Sequence, residues 1–429
     1  MSHVPSQPVR HALPVELEEA EGGIAQVAAE AWASGWPADG ALPDALPGAL
    51  RGPLPQVLDD ALGGVGRASA AAIDRVRASW LVAPVAIAIA SRLYSSLLLS
   101  LVPLFQPNLA IPRLTGFTSP FLQWDSQWYI TIANWGYHAA PMQAGPFGGR
   151  HDFAFFPAWP ELLRATEALG FQVSEIAPLL AAGLFVLASP LIYLVLERQF
   201  GRTAALWGVV LIAFSPPAYV LSMAYSEPLF LLLVAALFAT RSGPVRVVLG
   251  LALGVTRLTG VAVAAAQGLR WLRNWRDWRA LVTAAAIGVA FAGWWVFIWQ
   301  LTGDPAGWFQ GSAQWGHILG LAAIGQAITE WSNVRLGDLV FVALILAGAV
   351  LLARRNIELG SYAVIAILLS IAGAPVESMP RHALVAFPAF GMIASRLGTR
   401  GRIALALIFA GLQANYVLLS FVGPQPFAP

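Results

Sequence analysis

Asp125 is the single carboxylate in the stretch FLQWDSQWYITIANWGYH, residues 121–138, where it stands among six aromatic rings. A carboxylate held within hydrogen-bond reach of a hydroxyl can remove its proton, the work of a general base. Trp124, Gln127, Trp128 and Tyr129 would then surround the reacting groups, with the rings offering flat faces to a sugar or an isoprenoid chain. A plainer reading stays open beside this one. Asp readily caps a helix that starts at SQWYITIA, and the rings suit an aromatic belt at a membrane surface.

Other polar groups interrupt apolar sequence in the same manner. Arg257 lies in TRLTG, near the middle of an apolar stretch. A charge there costs about 2.5–3.5 kcal/mol on insertion scales unless it finds a partner or a cavity. It reads either as the partner of a buried carboxylate, Asp125 or Glu227, or as a clamp for an anionic headgroup. In YSEPLF, Ser226 caps a helix with Glu227 and Pro228 in its first turn, and Glu227 could also bind an acceptor hydroxyl. Arg150, His151 and Asp152 precede the apolar run FAFFPAWP and anchor a flank or line the mouth of a site. Arg381 and His382, in VESMPRH, invite the same choice, and an arginine fork matches a phosphate.

The elements that must hold these residues are membrane helices. Of 429 residues 58% are hydrophobic and 11% charged, with mean hydropathy +0.67, against about 25% charged in soluble domains. The apolar residues come in runs of about 20, the length that crosses a hydrocarbon core about 30 Å thick. The expected fold is an all-α polytopic membrane bundle of about 10–11 segments over residues 71–429. Residues 1–70, rich in Ala, Pro and Gly, read as a disordered cytoplasmic tail, and residues 106–155 as a long first loop outside the membrane. The chain has no cysteine, so disulfides and thiolate metal sites are excluded, and its basic residues are all arginine. No Walker loop, dinucleotide glycine fingerprint or zinc-ligand spacing is present.

The arginines orient the bundle. The positive-inside rule places ERQFGR (197–202), RSGPVR (241–246), LRWLRNWRDWR (269–279), ARRN (353–356) and SRLGTRGR (395–402) on the cytoplasmic side. That assignment requires residues 244–270 to form two short helices meeting at TRLTG, since one crossing would put an arginine-rich flank outside. Broken helices of this kind are tolerated where they line a cavity. The candidate groups then converge on the extracytoplasmic face of an integral plasma-membrane protein, with the N-terminus in the cytoplasm.

Taken in order, WDSQWYITIANWGY (124–137), FAFFPAWP (153–160), YSEPLF (225–230), TRLTG (256–260) and PRHALVAFP (380–388) resemble the second-mannose GPI mannosyltransferase family and its bacterial relatives. That family belongs to the GT-C superfold of lipid-dependent glycosyltransferases. The resemblance covers about residues 80–390. Trp128 stands where the family pattern has histidine, so that histidine's role is not carried over.

The resemblance implies a polyprenyl-phosphate mannose donor, which serves as co-substrate with no separate cofactor. It implies a lipid-linked or polymer acceptor, membrane lipids as surroundings, and no nucleic acid. Asp125 would be the base of an inverting displacement and the arginines would hold the departing phosphate. No metal site is expected. A secondary transporter or lipid-linked-sugar flippase would share the many spans, the buried arginine and the broken hairpin. Against it stand the absence of an internal repeat and the gathering of candidate groups on one face.

Overall fold

A computed structural model describes residues 81–105, 119–143, 148–314, 333–373 and 378–422. The expected tail, most of the first part of the 106–155 loop, residues 315–332 of the following loop and Glu377 lie outside the described residues. The chain divides at Arg75 into two units, and everything below concerns the second, Val76–Pro429.

The described residues form helices and no strands, apart from one isolated antiparallel bridge between Met142 and Arg150. Five helices are long and apolar enough to cross a membrane: α1 (Val82–Phe105), α4 (Val173–Phe200), α9 (Trp278–Thr302), α11 (Asn333–Ala353, apolar from Leu336) and α15 (Thr399–Val422). Between α1 and α4 lie the short helices α2 (Asp125–Trp135) and α3 (Ala158–Ala168). Leucines, valines and tryptophans on the long helices face outward, among them Leu93, Leu104, Leu179 and Val289, as lipid-facing helices require. This is the all-α polytopic bundle that composition led us to expect.

The other expected segments are shorter than a full crossing, because most of them break beside the polar residues. A bent sixth segment consists of α5 (Arg202–Ala213) and a 3₁₀ turn (Pro216–Ser222), with 76° between them. Its cause is Ser215-Pro216-Pro217: proline cannot donate to the preceding turn and pushes its neighbour out of helical geometry. The break frees carbonyls, and Arg92 of α1 satisfies them. Its Nη2 donates to Ala213 O at 3.1 Å, and its Nη1 donates to Ala218 O at 2.7 Å and Ser222 Oγ at 3.1 Å. Arg92 is 4% exposed, so a buried charge in the first span is spent on a broken helix end. The sequence reading passed over it.

Half-length helices follow: α6 (Glu227–Ala239), α7 (Gly243–Gly254) and α8 (Gly260–Arg273). The 244–270 stretch is the expected hairpin. Arg246 in the first turn of α7 and Arg270 in the last turn of α8 both pair with Glu358, at 3.6 and 2.6 Å, so both flanks lie at one end of the bundle. Two glycines permit the close packing. A Cβ on Gly254 would lie 2.4 Å from Ile287 O of α9, and one on Gly260 would lie 2.6 Å from Leu253 O.

After α9 come the short α10 (Gly307–Ala313), α11 and α12 (Ile357–Gly373). The span expected over 382–396 is divided into α13 (Met379–Leu384) and α14 (Phe387–Arg396), with Pro388 in the first turn of the second piece.

The absence of native cysteine makes the hairpin directly testable. Single cysteines at Ser242 and Asn274 should label with an impermeant maleimide from the same side of sealed vesicles, and a cysteine at Asp304 from the other. Labelling of Ser242 and Asn274 from opposite sides would mean a single crossing.

Candidate active site

The site is assembled by backbone hydrogen bonds that tie one helix break to the next. Ala224 N–H donates to Phe121 O at 3.2 Å, and Trp159 Nε1 donates to Ala224 O at 3.0 Å. Ala158 N–H donates to Val255 O at 2.9 Å. Ala158 and Trp159 of FAFFPAWP therefore tie the chain just before α6 to the end of α7, and the Ala224–Phe121 bond ties it to the approach to α2. These bonds bring Asp125, Glu227 and Arg257 together from three segments.

Asp125 is the first residue of α2 and does not cap it. The residue before it, Trp124, occupies the cap position with φ 52° and ψ −116°, the one non-glycine positive φ among the described residues. Such a conformation costs about 1–3 kcal/mol and persists only where surrounding structure imposes it. Trp124 is held by Phe421, whose ring centroid lies 4.6 Å away. The strained residue sets the direction in which Asp125 leaves the backbone.

Asp125 Oδ2 accepts from Arg381 Nη1. Arg381 also brings its Nε to 3.4 Å from Glu227 Oε1 and donates through Nη2 to His382 Nε2 at 3.0 Å. A guanidinium has no acceptor, so Nε2 of His382 carries the lone pair and its proton resides on Nδ1. The Arg381 guanidinium lies over the Tyr225 ring, 5.0 Å from its centroid. Arg257 Nη1 stands 2.9 Å from Glu227 Oε1 and donates to Ser226 Oγ at 2.8 Å, while the Tyr129 hydroxyl bonds the same oxygen at 2.8 Å. Two carboxylates and two guanidiniums thus alternate in one cluster, which keeps a charged group tolerable in an apolar bundle.

A cavity of about 390 Å³ opens on one side of the cluster. Asp125, Tyr129, Arg257, Arg381 and His382 line it, together with Arg150. Asp125 keeps 20% of its side chain exposed there, and Arg257 11%. Arg257 Nε has no hydrogen-bond partner.

Other expected site residues are placed elsewhere. Glu227 is fully buried behind the arginines and does not line the cavity, so it balances charge rather than meeting an acceptor. Ser226 occupies the cap position of α6 but its hydroxyl bonds Arg257 and Tyr129, not the helix backbone. Trp128 is stacked on Phe155 at 5.3 Å, and Trp124 packs on Phe421, so both rings serve packing. Gln127 is half-buried and outside the cavity lining.

Asp152 is fully buried and accepts from the backbone N–H of His138 at 3.1 Å and from its Nδ1 at 3.0 Å. Burial pushes the Asp152 carboxyl up, and the His138 bonds oppose that rise. His151 stacks on Phe153 at 4.6 Å, and its N–H donates to Gln314 Oε1. This pair of residues closes the loop beside the site instead of lining its mouth. Conversely, Trp308, Ser312, Ser370 and Ser378 line the cavity without any sequence signal beyond their place in outer loops or at helix ends.

The fold and the site together define a helical membrane protein with a cavity at one end into which a cluster of paired charges opens. No protein-family model matches the sequence, and no curated protein does. Among solved structures, the chain is similar to ArnT from Cupriavidus metallidurans bound to undecaprenyl phosphate. That match has TM-score 0.43 and 14% identity, over 68% of this chain and 58% of that one. It is also similar to the Archaeoglobus fulgidus oligosaccharyltransferase tethered with an acceptor peptide, with TM-score 0.41 and 14% identity over 78% and 55%. The same enzyme in complex with Zn and sulfate matches with TM-score 0.41 and 17% identity over 82% and 54%. The chain spans between 54% and 58% of the length of these proteins.

Glu227→Gln removes the charge that both arginines share and leaves them buried together. The expected loss is about 3–5 kcal/mol of stability, read as a lower thermal midpoint for the purified protein in detergent. An unchanged midpoint would show that Glu227 does not balance the arginines.

Proposed function

We propose that the protein is an inverting glycosyltransferase of the GT-C kind, which moves a sugar from a polyprenyl-phosphate donor to a lipid-linked or polymer acceptor on the extracytoplasmic face. The observation that carries this reading is that Asp125 and Arg257 line one cavity, although they are 132 positions apart in the chain. The motif resemblance names mannose as the sugar and a bacterial plasma membrane as the setting.

The chemistry follows from the groups present. An acceptor hydroxyl attacks the anomeric carbon as the bond to the donor phosphate breaks. Asp125 receives the hydroxyl proton. Arg381 holds the Asp125 carboxylate through the Nη1 bond and is itself fixed by Glu227, His382 and Tyr225, so its part is positioning. Arg257, which lines the cavity with 11% of its side chain exposed, meets the phosphate oxygens and stabilises the charge they gain. A phosphate leaves as an anion and needs no proton, so one base is enough. A single displacement inverts the anomeric centre, and a β-linked donor gives an α-linked product. The scheme draws on no metal, and turnover in excess chelator checks that expectation.

Radiolabelled polyprenyl-phosphate mannose added to membranes carrying the protein should leave label on a new lipid or polymer. Asp125→Asn should reduce that transfer at least about a thousandfold, the upper part of what a positioned base contributes, and should also lower the thermal midpoint, because Arg381 loses its ion-pair partner. Label that crosses the membrane on unchanged donor would instead identify a flippase. Full transfer by the variant would remove Asp125 from the role of base.

A further inference from the structure

A second cavity, about 470 Å³, lies at the other end of the bundle, where α4 and α6 finish and α7, α9 and α12 begin. Arg198, Arg241, Arg246, Arg270 and Arg279 line it against one lining carboxylate, Glu358. Two of the five are consumed by the fold. Arg246 is 6% exposed and donates to Leu237 O, Gln267 Oε1 and Thr283 Oγ1. Arg270 bonds Asp277 Oδ2 at 2.7 Å and Glu358 Oε2 at 2.6 Å. Their carboxylate partners are thereby neutralised.

The remaining three are exposed and come from three different segments. Arg198 spends its Nη1 on Ala239 O, Arg279 spends its Nη1 on Arg241 O, and neither bonds a carboxylate. Like charges that merely anchor a helix bundle to a membrane surface would spread around its rim. Here they converge on one concavity whose walls also carry Gln199, Thr240 and Asn356.

Exposed aromatic rings stand next to Arg279 in the chain, outside the cavity lining. Arg279 lies over the Trp278 ring at 5.9 Å and Arg276 over the Trp275 ring at 5.2 Å. Trp278 and Trp275 are 60% and 70% exposed, and Leu272 is 68% exposed. Exposed tryptophan next to arginine occupies the headgroup level of a bilayer, and basic pockets between membrane helices at that level accept anionic headgroups.

We propose that this cavity binds the phosphate of an anionic phospholipid, with Arg198, Arg241 and Arg279 as its ligands. The site lies at the opposite end from Asp125, so the proposal does not rest on the glycosyl-transfer reading. A phosphate group could also come from inorganic phosphate, and the test separates the two sources.

The full-length protein in neutral detergent is titrated with phosphatidylglycerol, phosphatidylcholine or sodium phosphate and weighed by native mass spectrometry. Phosphatidylglycerol should be retained at least about tenfold more than phosphatidylcholine. Arg241→Gln and Arg279→Gln should each weaken retention about fivefold, the worth of one arginine near an anionic headgroup. Arg354→Gln with Arg355→Gln, exposed positions next to Asn356 but outside the cavity lining, serves as a charge control and should leave retention unchanged. Equal retention of the two lipids, unaltered retention by the cavity variants, or an equal loss in the control would overturn the proposal. Occupancy by sodium phosphate without discrimination between the lipids would reassign the cavity to a free anion.

Discussion

One constraint governs the site end of this molecule: four charged side chains have to be neutral as a group inside an apolar bundle. Asp125 and Arg381 are 256 positions apart, yet they form a direct ion pair. Glu227, fully buried, sits between Arg381 and Arg257 and would be untenable without both. The desolvation cost of each charge is met only when all four are in place. Helix α13, the start of α6, the α7–α8 break and α2 are therefore mutually dependent, and the site cannot form piecemeal. The helix breaks supply the room. A continuous helix at Gly254–Gly260 would leave no gap through which Arg257 could reach Ser226.

The same economy recurs in the middle of the bundle. Where Ser215-Pro216-Pro217 bends the chain, carbonyls lose their helical donors, and Arg92 replaces them with two hydrogen bonds, to Ala213 O and Ala218 O. At the far end Arg246 performs a similar service for Leu237 O, as α6 ends. Arg92 completes the backbone, and Arg246 does so while also pairing with Glu358 at 3.6 Å. Arg257 and Arg381, which pair with acids, open onto the cavity that contains Asp125.

Much of this was legible in the sequence because charge in apolar surroundings is so costly. Arg257 inside an apolar stretch, Asp125 alone among aromatic rings and Arg381 beside a span stood out as residues needing an explanation, and all three line one cavity. The arginine-rich flanks on both sides of 244–270 demanded a hairpin, and the Arg246–Gln267 bond closes it. What failed was the reading of polar and aromatic residues by proximity along the chain. Asp152 and His151 follow Arg150 directly, but Asp152 turns to His138 and His151 to Phe153. Trp128 lies one helical turn from Asp125 and faces Phe155 instead of the cavity. Arg92 was hidden because one charge in a 24-residue apolar helix does not alter its identity as a span. Nothing in residue types announces the positive φ of Trp124, which arises from packing between distant segments.

The shortness of α6 has a consequence for depth. Its 13 residues rise about 20 Å at 1.5 Å each, roughly 10 Å less than the hydrocarbon thickness, whereas the 25 residues of α9 rise about 37 Å. The charge cluster at the head of α6 is therefore sunk below the level at which the long helices end. A prenylated headgroup could slide sideways into contact with Arg257 while its tail stays among the lipids, avoiding about 0.8 kcal/mol for each methylene lifted into water.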